Sequence, residues 1–139
     1  EKMVAEGVEA AQSLEQLYSS CDFVSIHIPA TPQTIGSIKA PLVGLMPKGG
    51  CLVNTARKEV IDEESLLELL KMRGDLKYVA DVAPAAAEEF AAALGNRYFA
   101  TPKKMGAETA EANVNAGLAA ARQIVAYFAT GCEKYRLNK

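Results

Sequence analysis

The 139-residue sequence has no tryptophan, 6% aromatic residues and a single histidine, His27. With so few flat rings there is no obvious platform for stacking bases. Neither sign of charge dominates. Fifteen Lys and Arg stand against 17 Asp and Glu, a formal net charge of −2, so no basic field attracts nucleic acid or an anionic membrane surface. No run of about 18 uncharged apolar residues occurs, which argues against a membrane-spanning helix. The three cysteines, Cys21, Cys51 and Cys132, are far apart and form no CxxC pair. They suggest neither a zinc site nor a disulfide framework, and fit a reducing, cytoplasmic setting. What remains is an ordinary globular mix, 50% apolar and 23% charged, on a chain long enough for one domain with a real core. Glu1-Lys2-Met3-Val4 is not a signal peptide, and with Met3 as the first methionine it suggests a piece of a longer chain.

Short apolar runs alternate with helical patterns. Ser13 opens a helix, with Gln16 completing a capping box and Leu14 and Leu17 at helical spacing. Asp22 to Pro29 is rich in branched and aromatic residues and reads as a mostly buried strand. A short helix is expected over Lys39 to Met46, a turn at Pro47 to Gly50, and a second strand at Cys51 to Val53. Asp62 can cap the next helix, whose apolar side holds Leu66, Leu67, Leu69 and Leu70, with Gly74 just past its end. Tyr78 to Val82 reads as a strand, an Ala-rich helix runs to about Leu94, and Tyr98 to Ala100 is another strand. Val8 to Ala10 reads as a weak strand at the start.

The last element is a long helix, about 107–130, ended by Gly131. Val114, Leu118, Ala121, Val125 and Phe128 recur at spacings of four and three, and Glu108, Glu111, Asn115 and Arg122 share the opposite face. Such a helix suits an ordinary core. Its many small residues equally suit an intersubunit or interdomain contact.

This alternation indicates an α/β fold, a parallel sheet with helices on both faces. Ligands of such sheets bind at the carboxyl ends of the strands, which directs attention to the residues just after each one. Arg57, in the loop after the second strand, can hold a carboxylate by two parallel hydrogen bonds, or it can be a plain surface arginine. Asp81 ends an apolar strand and needs a donor. A nicotinamide carboxamide would serve, as would a backbone N–H of the following helix. His27 stands near a strand end, where a histidine is more often structural than catalytic, yet it is the chain's single example of the residue type usual for acid/base work near neutral pH. Lys103 and Lys104 follow the last strand and suit an anionic substrate or plain solvation.

Taken together, four segments resemble one family. Ser25-Ile26-His27-Ile28-Pro29-Ala30-Thr31-Pro32-Gln33-Thr34, then Leu52-Val53-Asn54-Thr55-Ala56-Arg57, then Ala80-Asp81-Val82, then Thr101-Pro102 with Gly106-Ala107 occur in the order and spacing of D-2-hydroxyacid dehydrogenases. The likeness runs from about residue 8 to the end. The block from Lys48 to Val60 and the close from Cys132 to Lys139 look most like short members of the family, without a regulatory domain. The resemblance implies the C-terminal part of a Rossmann-like dinucleotide-binding domain, incomplete at the N-terminus. It also implies NAD as cofactor, a phosphate-bearing 2-hydroxy acid as substrate and a homodimer. By position, Arg57 would hold the substrate carboxylate, and Asp81 would contact the nicotinamide carboxamide. His27, Pro29 and Thr31 would line the adenosine and ribose side, while Thr55 and Ala56 would offer backbone contacts near the nicotinamide.

Three departures stand out. The family's Gly-rich fingerprint is missing and is expected upstream of residue 1, and the substrate domain is missing too. The glutamate that supports the family's histidine would fall near Ala86, with Glu88 and Glu89 displaced from it. The place directly after Thr-Pro, where the family has its catalytic histidine, holds Lys103, with Lys104 beside it and one extra residue before Gly106. A free lysine, with a pKa of about 10.4, is a ready acid but a poor base at neutral pH. Desolvation and a neighbouring positive charge such as Arg57 would have to destabilise its charged form by roughly 4 kcal/mol to bring it near neutrality. Two functions are compatible with this pattern. One is a dehydrogenase using Arg57 and one of the two lysines; the other is a non-catalytic NAD-binding or sensing protein on the same fold.

Overall fold

The computed structural model describes residues 7–102 and 109–137. They fall into two compact units, divided between Lys103 and Lys104. In the first unit, helix α1 (Leu14–Ser20) leads into strand β1 (Phe23–Ile26), and the short helix α2 (Ala40–Val43) precedes strand β2 (Cys51–Asn54). A 3₁₀ turn (Lys58–Val60) and helix α3 (Glu63–Met72) lead to strand β3 (Lys77–Ala80). Helix α4 (Ala87–Leu94) and a second 3₁₀ turn (Gly95–Arg97) then lead to strand β4 (Tyr98–Ala100). The strands form one sheet in the order β1-β2-β3-β4, all neighbours parallel. Parallel pairing puts all four carboxyl ends at one edge. This is the expected α/β architecture, an incomplete Rossmann-like sheet with its helices.

Register places Val24, Leu52, Tyr78 and Tyr98 in one row across the sheet and Ile26, Asn54, Ala80 and Ala100 in another. These rows face the core, where Val43, Val60, Leu66, Leu70, Leu76 and Phe90 are fully or almost fully buried. The intervening positions are less covered: Phe23 is 75% exposed and Phe99 60%. Strand β1 is therefore alternately buried and exposed, and not mostly buried as its composition suggests. It also ends at Ile26, short of Pro29, and β3 ends at Ala80, short of Val82. Val8 to Ala10 forms no strand; it lacks the branched and aromatic density that favours one.

The helix signals hold where a side chain can be seen to cap. Ser13 accepts from the Gln16 N–H at 3.1 Å, and Gln16 Oε1 reaches back to the Gln12 N–H at 2.6 Å, one residue earlier than a capping box requires. The one buried residue of α1 is Tyr18, while Leu14 and Leu17 are exposed. Asp62 caps α3 by accepting from the Ser65 N–H at 3.2 Å, and Leu66, Leu67, Leu69 and Leu70 are buried beneath it. At the far end the Arg73 guanidinium donates to the carbonyls of Gly44 (3.0 Å) and Met46 (3.2 Å) and makes two 2.8 Å bonds to Asp75. Asp75 also accepts from the Gly49 N–H at 3.0 Å, in a turn that needs φ +83° and hence glycine. The Arg73 guanidinium, helped by that amide, holds the Asp75 carboxyl well below the usual carboxylate range.

The second unit contains α5 (Ala110–Thr130), capped by Thr109, which accepts from the Ala112 N–H at 3.1 Å, and ended by Gly131 at φ 68°. None of its residues is buried; Val114, Leu118, Val125 and Phe128 are all exposed. Residues 107 and 108, with which the helix was expected to begin, lie outside the described residues.

Candidate functional site at the carboxyl edge of the sheet

At the end of β1, His27 is held from both sides. Ser25 Oγ lies 2.8 Å from Nε2 and Thr55 Oγ1 lies 3.1 Å from Nδ1. Thr55 Oγ1 has one proton and donates it to the Ile26 carbonyl at 3.1 Å. The network therefore assigns the proton of a neutral imidazole to Nδ1, which donates to Thr55, while Nε2 accepts from Ser25. His27 and Thr55, predicted separately, are brought together, and they tie the ends of β1 and β2 to each other.

The next turn is organised by a residue that sequence reasoning did not single out. Thr34 Oγ1 donates to the Pro29 carbonyl at 2.5 Å, accepts from the Thr31 N–H at 2.8 Å and lies 3.1 Å from Thr31 Oγ1. Backbone bonds from Thr34 and Ile35 to the Thr31 carbonyl close the turn. Pro29 and Thr31 thus sit in one rigid loop. The signal for it was the Thr-Pro-Gln-Thr pattern, in which a hydroxyl three residues on can serve the backbone.

At the end of β2 stands Asn54, which the sequence places in the strand-end motif without giving it a role, at 1% exposure. Its Oδ1 accepts from the Ala56 N–H at 3.0 Å and its Nδ2 donates to the Arg57 carbonyl at 3.2 Å. Arg57 follows in extended backbone and is exposed. The Asn54 carbonyl accepts from the Asp81 N–H at 2.9 Å, so the β2 and β3 ends are also joined. Thr101, after β4, donates through its N–H to the Ala80 carbonyl at 3.0 Å. Its hydroxyl donates to the Asp81 carbonyl in a short bond and lies 3.4 Å from Asp81 Oδ1. No named strand follows Asp81 directly; the loop to α4 is held by Glu63, whose carboxylate accepts from the Ala85 and Ala86 N–H groups at 3.0 Å each. Glu63 was not singled out from the sequence. Ala86 occupies the N-cap of α4 and has no side chain to cap with, while Glu88 and Glu89 lie exposed in the first turn. Lys103, Lys104 and Gly106 lie outside the described residues.

Beneath this edge, the rings of Tyr78, Phe90 and Tyr98 pack with centroids 5.4 to 5.9 Å apart. Burial pushes the Tyr78 phenol up to about 12 and the Tyr98 phenol upward as well, and the Glu63 carboxylate adds to both.

Four parallel strand ends thus present a donor-and-acceptor rim with one guanidinium on it. Thr31 and the His27–Thr55 pair supply polar groups, Asp81 supplies a carboxylate acceptor, and Arg57 supplies positive charge. That set fits the mixed amide, hydroxyl and charge pattern of a nicotinamide nucleotide beside a carboxylate. Among the described residues no cluster of His, Cys, Asp and Glu could hold a metal ion.

Comparison with known proteins gives the same picture. Residues 1–104 match the family described as D-isomer specific 2-hydroxyacid dehydrogenase, NAD binding domain. The chain is 35% identical to D-3-phosphoglycerate dehydrogenase of Haemophilus influenzae over 99% of its own length and 35% of the relative's. Identity is 37% to the enzyme of the same name from Methanocaldococcus jannaschii, over 88% of this chain and 24% of that one. The crystal structure of NAD+-bound 3-phosphoglycerate dehydrogenase from Entamoeba histolytica superposes with a TM-score of 0.78 at 41% identity, covering 99% of this chain and 50% of that one. The chain therefore spans half or less of these relatives. With its parallel sheet, its strand-end rim and three quarters of its length inside the family's boundaries, it belongs to the D-isomer specific 2-hydroxyacid dehydrogenases, in their NAD-binding domain.

Proposed function

We infer that the whole protein is an NAD-dependent dehydrogenase that oxidises 3-phospho-D-glycerate to 3-phosphohydroxypyruvate in L-serine biosynthesis. The observation that carries this reading is Arg57, set on a turn that Asn54 holds at the carboxyl edge of the sheet. Support for the substrate comes from the relatives of that name at 35 to 41% identity. In this reading the strand-end residues would hold NAD, which would supply the hydride acceptor for C2. Arg57 grips the substrate carboxylate by two parallel hydrogen bonds and so orients the C2 hydroxyl. Asp81 accepts from the nicotinamide carboxamide, Thr55 and Ala56 flank it, and His27, Pro29 and Thr31 line the adenosine and ribose side. Lys103 or Lys104 takes the C2 hydroxyl proton, in the place of the family's histidine. The same reading makes the protein a cytoplasmic homodimer, with the small residues of α5 suited to a close contact.

The second reading, a non-catalytic NAD-binding protein, is favoured by the loss of two acid/base groups: Lys103 replaces the histidine, and Ala86 holds the place of its glutamate. Arg57 counts against it, because a carboxylate clamp has no use in a nucleotide sensor. Turnover decides. The full-length protein with NAD is expected to form NADH from 3-phosphoglycerate. Arg57→Ala is expected to lower kcat/KM by about a hundredfold, the loss of two charge-assisted hydrogen bonds. Replacing each lysine by alanine is expected to lower turnover at least about tenfold for the one that moves the proton. NADH binding without turnover on any 2-hydroxy acid would leave the second reading standing.

A further inference from the structure

We propose that Asn54 is the positioning residue of this site: its buried carboxamide sets the Thr55–Ala56–Arg57 turn and with it the approach of the Arg57 guanidinium. The proposal rests on the reading of Arg57 given above.

Asn54 is the one buried polar residue among those described, in a row with Ile26 and Ala80, which are 4% and 1% exposed. A carboxamide in such surroundings is costly unless both of its ends are bonded. Here both are, and neither bond serves the core. Oδ1 takes the Ala56 N–H and Nδ2 gives to the Arg57 carbonyl, so both are spent on the loop that carries Arg57. The two bonds have opposite polarity. Asparagine supplies an acceptor and a donor at one branch point; aspartate supplies acceptors only, and leucine of similar shape supplies neither. An apolar side chain would suit the burial better, so the polarity is explained by the turn and not by the fold. The backbone of Asn54 extends the arrangement, because its carbonyl holds the Asp81 N–H. One residue thus fixes the turn of the carboxylate clamp and docks the strand end that bears the nicotinamide contact. Any residue at position 54 could supply the second link, but the first needs a carboxamide.

The test is a double-mutant cycle in the full-length protein. Asn54→Ala is expected to lower kcat/KM for 3-phosphoglycerate at least about tenfold in the native background and less than about threefold in Arg57→Ala. A residue that merely supported the fold would cost the same factor in both backgrounds, and that result overturns the proposal. Should Asn54→Ala fail to fold, Asn54→Leu keeps a similar shape but supplies neither the acceptor for the Ala56 N–H nor the donor for the Arg57 carbonyl, and the same cycle is run with it.

Amide hydrogen exchange gives a readout independent of turnover. In Asn54→Leu the Ala56 amide is expected to exchange faster while the Asp81 amide, held by a backbone carbonyl, keeps its protection. Unchanged Ala56 exchange overturns the proposal. Faster exchange in a protein with no turnover means that the dehydrogenase reading has failed while the hold of Asn54 on the turn stands.

Discussion

Raising the pH should unfold this protein through one phenol in particular. Tyr78 is 0% exposed, lies between Phe90 and Tyr98, and sits beside the Asn54 carboxamide without reaching hydrogen-bonding geometry. Burial pushes its pKa from 10.0 to about 12, and the nearby Asn54 amide offsets only part of that. For an acid whose folded value lies above its unfolded value, the native state keeps the proton where the unfolded chain has lost it. The stability it confers is intact below pH 10 and is lost as the pH climbs through about 12. The gap corresponds to about 3 kcal/mol in full, and to about half of that by pH 11. Urea unfolding followed by far-ultraviolet circular dichroism, at about pH 8 and about pH 11, measures it in native protein and in Tyr78→Phe. The native protein should lose about 1.4 kcal/mol more than the variant between the two conditions. Burial raises Tyr18 and Tyr98 in the same direction, but they are common to both proteins and cancel in the difference. The absence of tryptophan leaves phenolate absorbance easy to read, so the titration can be followed directly. Equal losses in the two proteins would refute the argument, because the buried phenol would then carry no linkage.

Three further outcomes are expected. Phe90→Ala should destabilise the first unit by about 3 to 5 kcal/mol in urea unfolding, because it empties a fully buried site and removes two ring contacts; a cost below about 1 kcal/mol would mean that the site collapses freely. Asp62→Ala should cost about 1 kcal/mol through loss of the α3 cap, and Asp62→Ser should recover most of it. The Asp75 carboxyl is depressed by Arg73, so its contribution is present above the ordinary carboxylate range and lost as the pH falls; Arg73→Met should flatten the acid side of the stability curve, which thermal unfolding from about pH 6 downward would show.

The elements were legible because each carries a local signal: β-branched runs for the strands, Asp62 and Ser13 for two helix starts, Leu66 to Leu70 for a buried helix face. Their ends were less so. Asp22 to Pro29 looks like one strand, yet pairing stops at Ile26, where the partner strand ends at Asn54 and its side chain turns the backbone into the Arg57 loop. Nothing local to Ile28 announces a decision made by a residue on another strand. Asp81 illustrates the same limit. Its N–H is held by the Asn54 carbonyl and its own carbonyl takes the Thr101 hydroxyl, while the Ala85 and Ala86 amides ahead of α4 are taken by Glu63, 22 residues or more earlier in the chain. Residue types at strand ends can be read from a sequence; the hydrogen bonds that arrange them are long-range, and Asn54, Thr34 and Glu63 emerged only once the strands were side by side.

That distinction bears on the chemistry. Carboxylate binding and proton transfer are separable tasks, and only the second depends on a group that titrates near working pH. On the proposed reading the carboxylate is held by a guanidinium, a group type that proteins do not deprotonate. A lysine after Thr101-Pro102 is not such a group. It begins as the charged acid, which is the form needed to protonate the oxygen of a keto acid being reduced. Oxidation needs the neutral amine, which at neutral pH is scarce for any lysine near its free pKa of about 10.4. On the proposed reading, replacing the histidine therefore biases the reaction without abolishing it. Substrate affinity in the full-length protein is expected to stay flat with pH. The oxidative rate should rise toward the alkaline side by up to about tenfold for each pH step below the lysine's pKa, and the reductive rate should hold at neutral pH. An oxidative profile that is the same in Lys103→Ala and in Lys104→Ala as in the native protein would place the proton on some group other than Lys103 or Lys104.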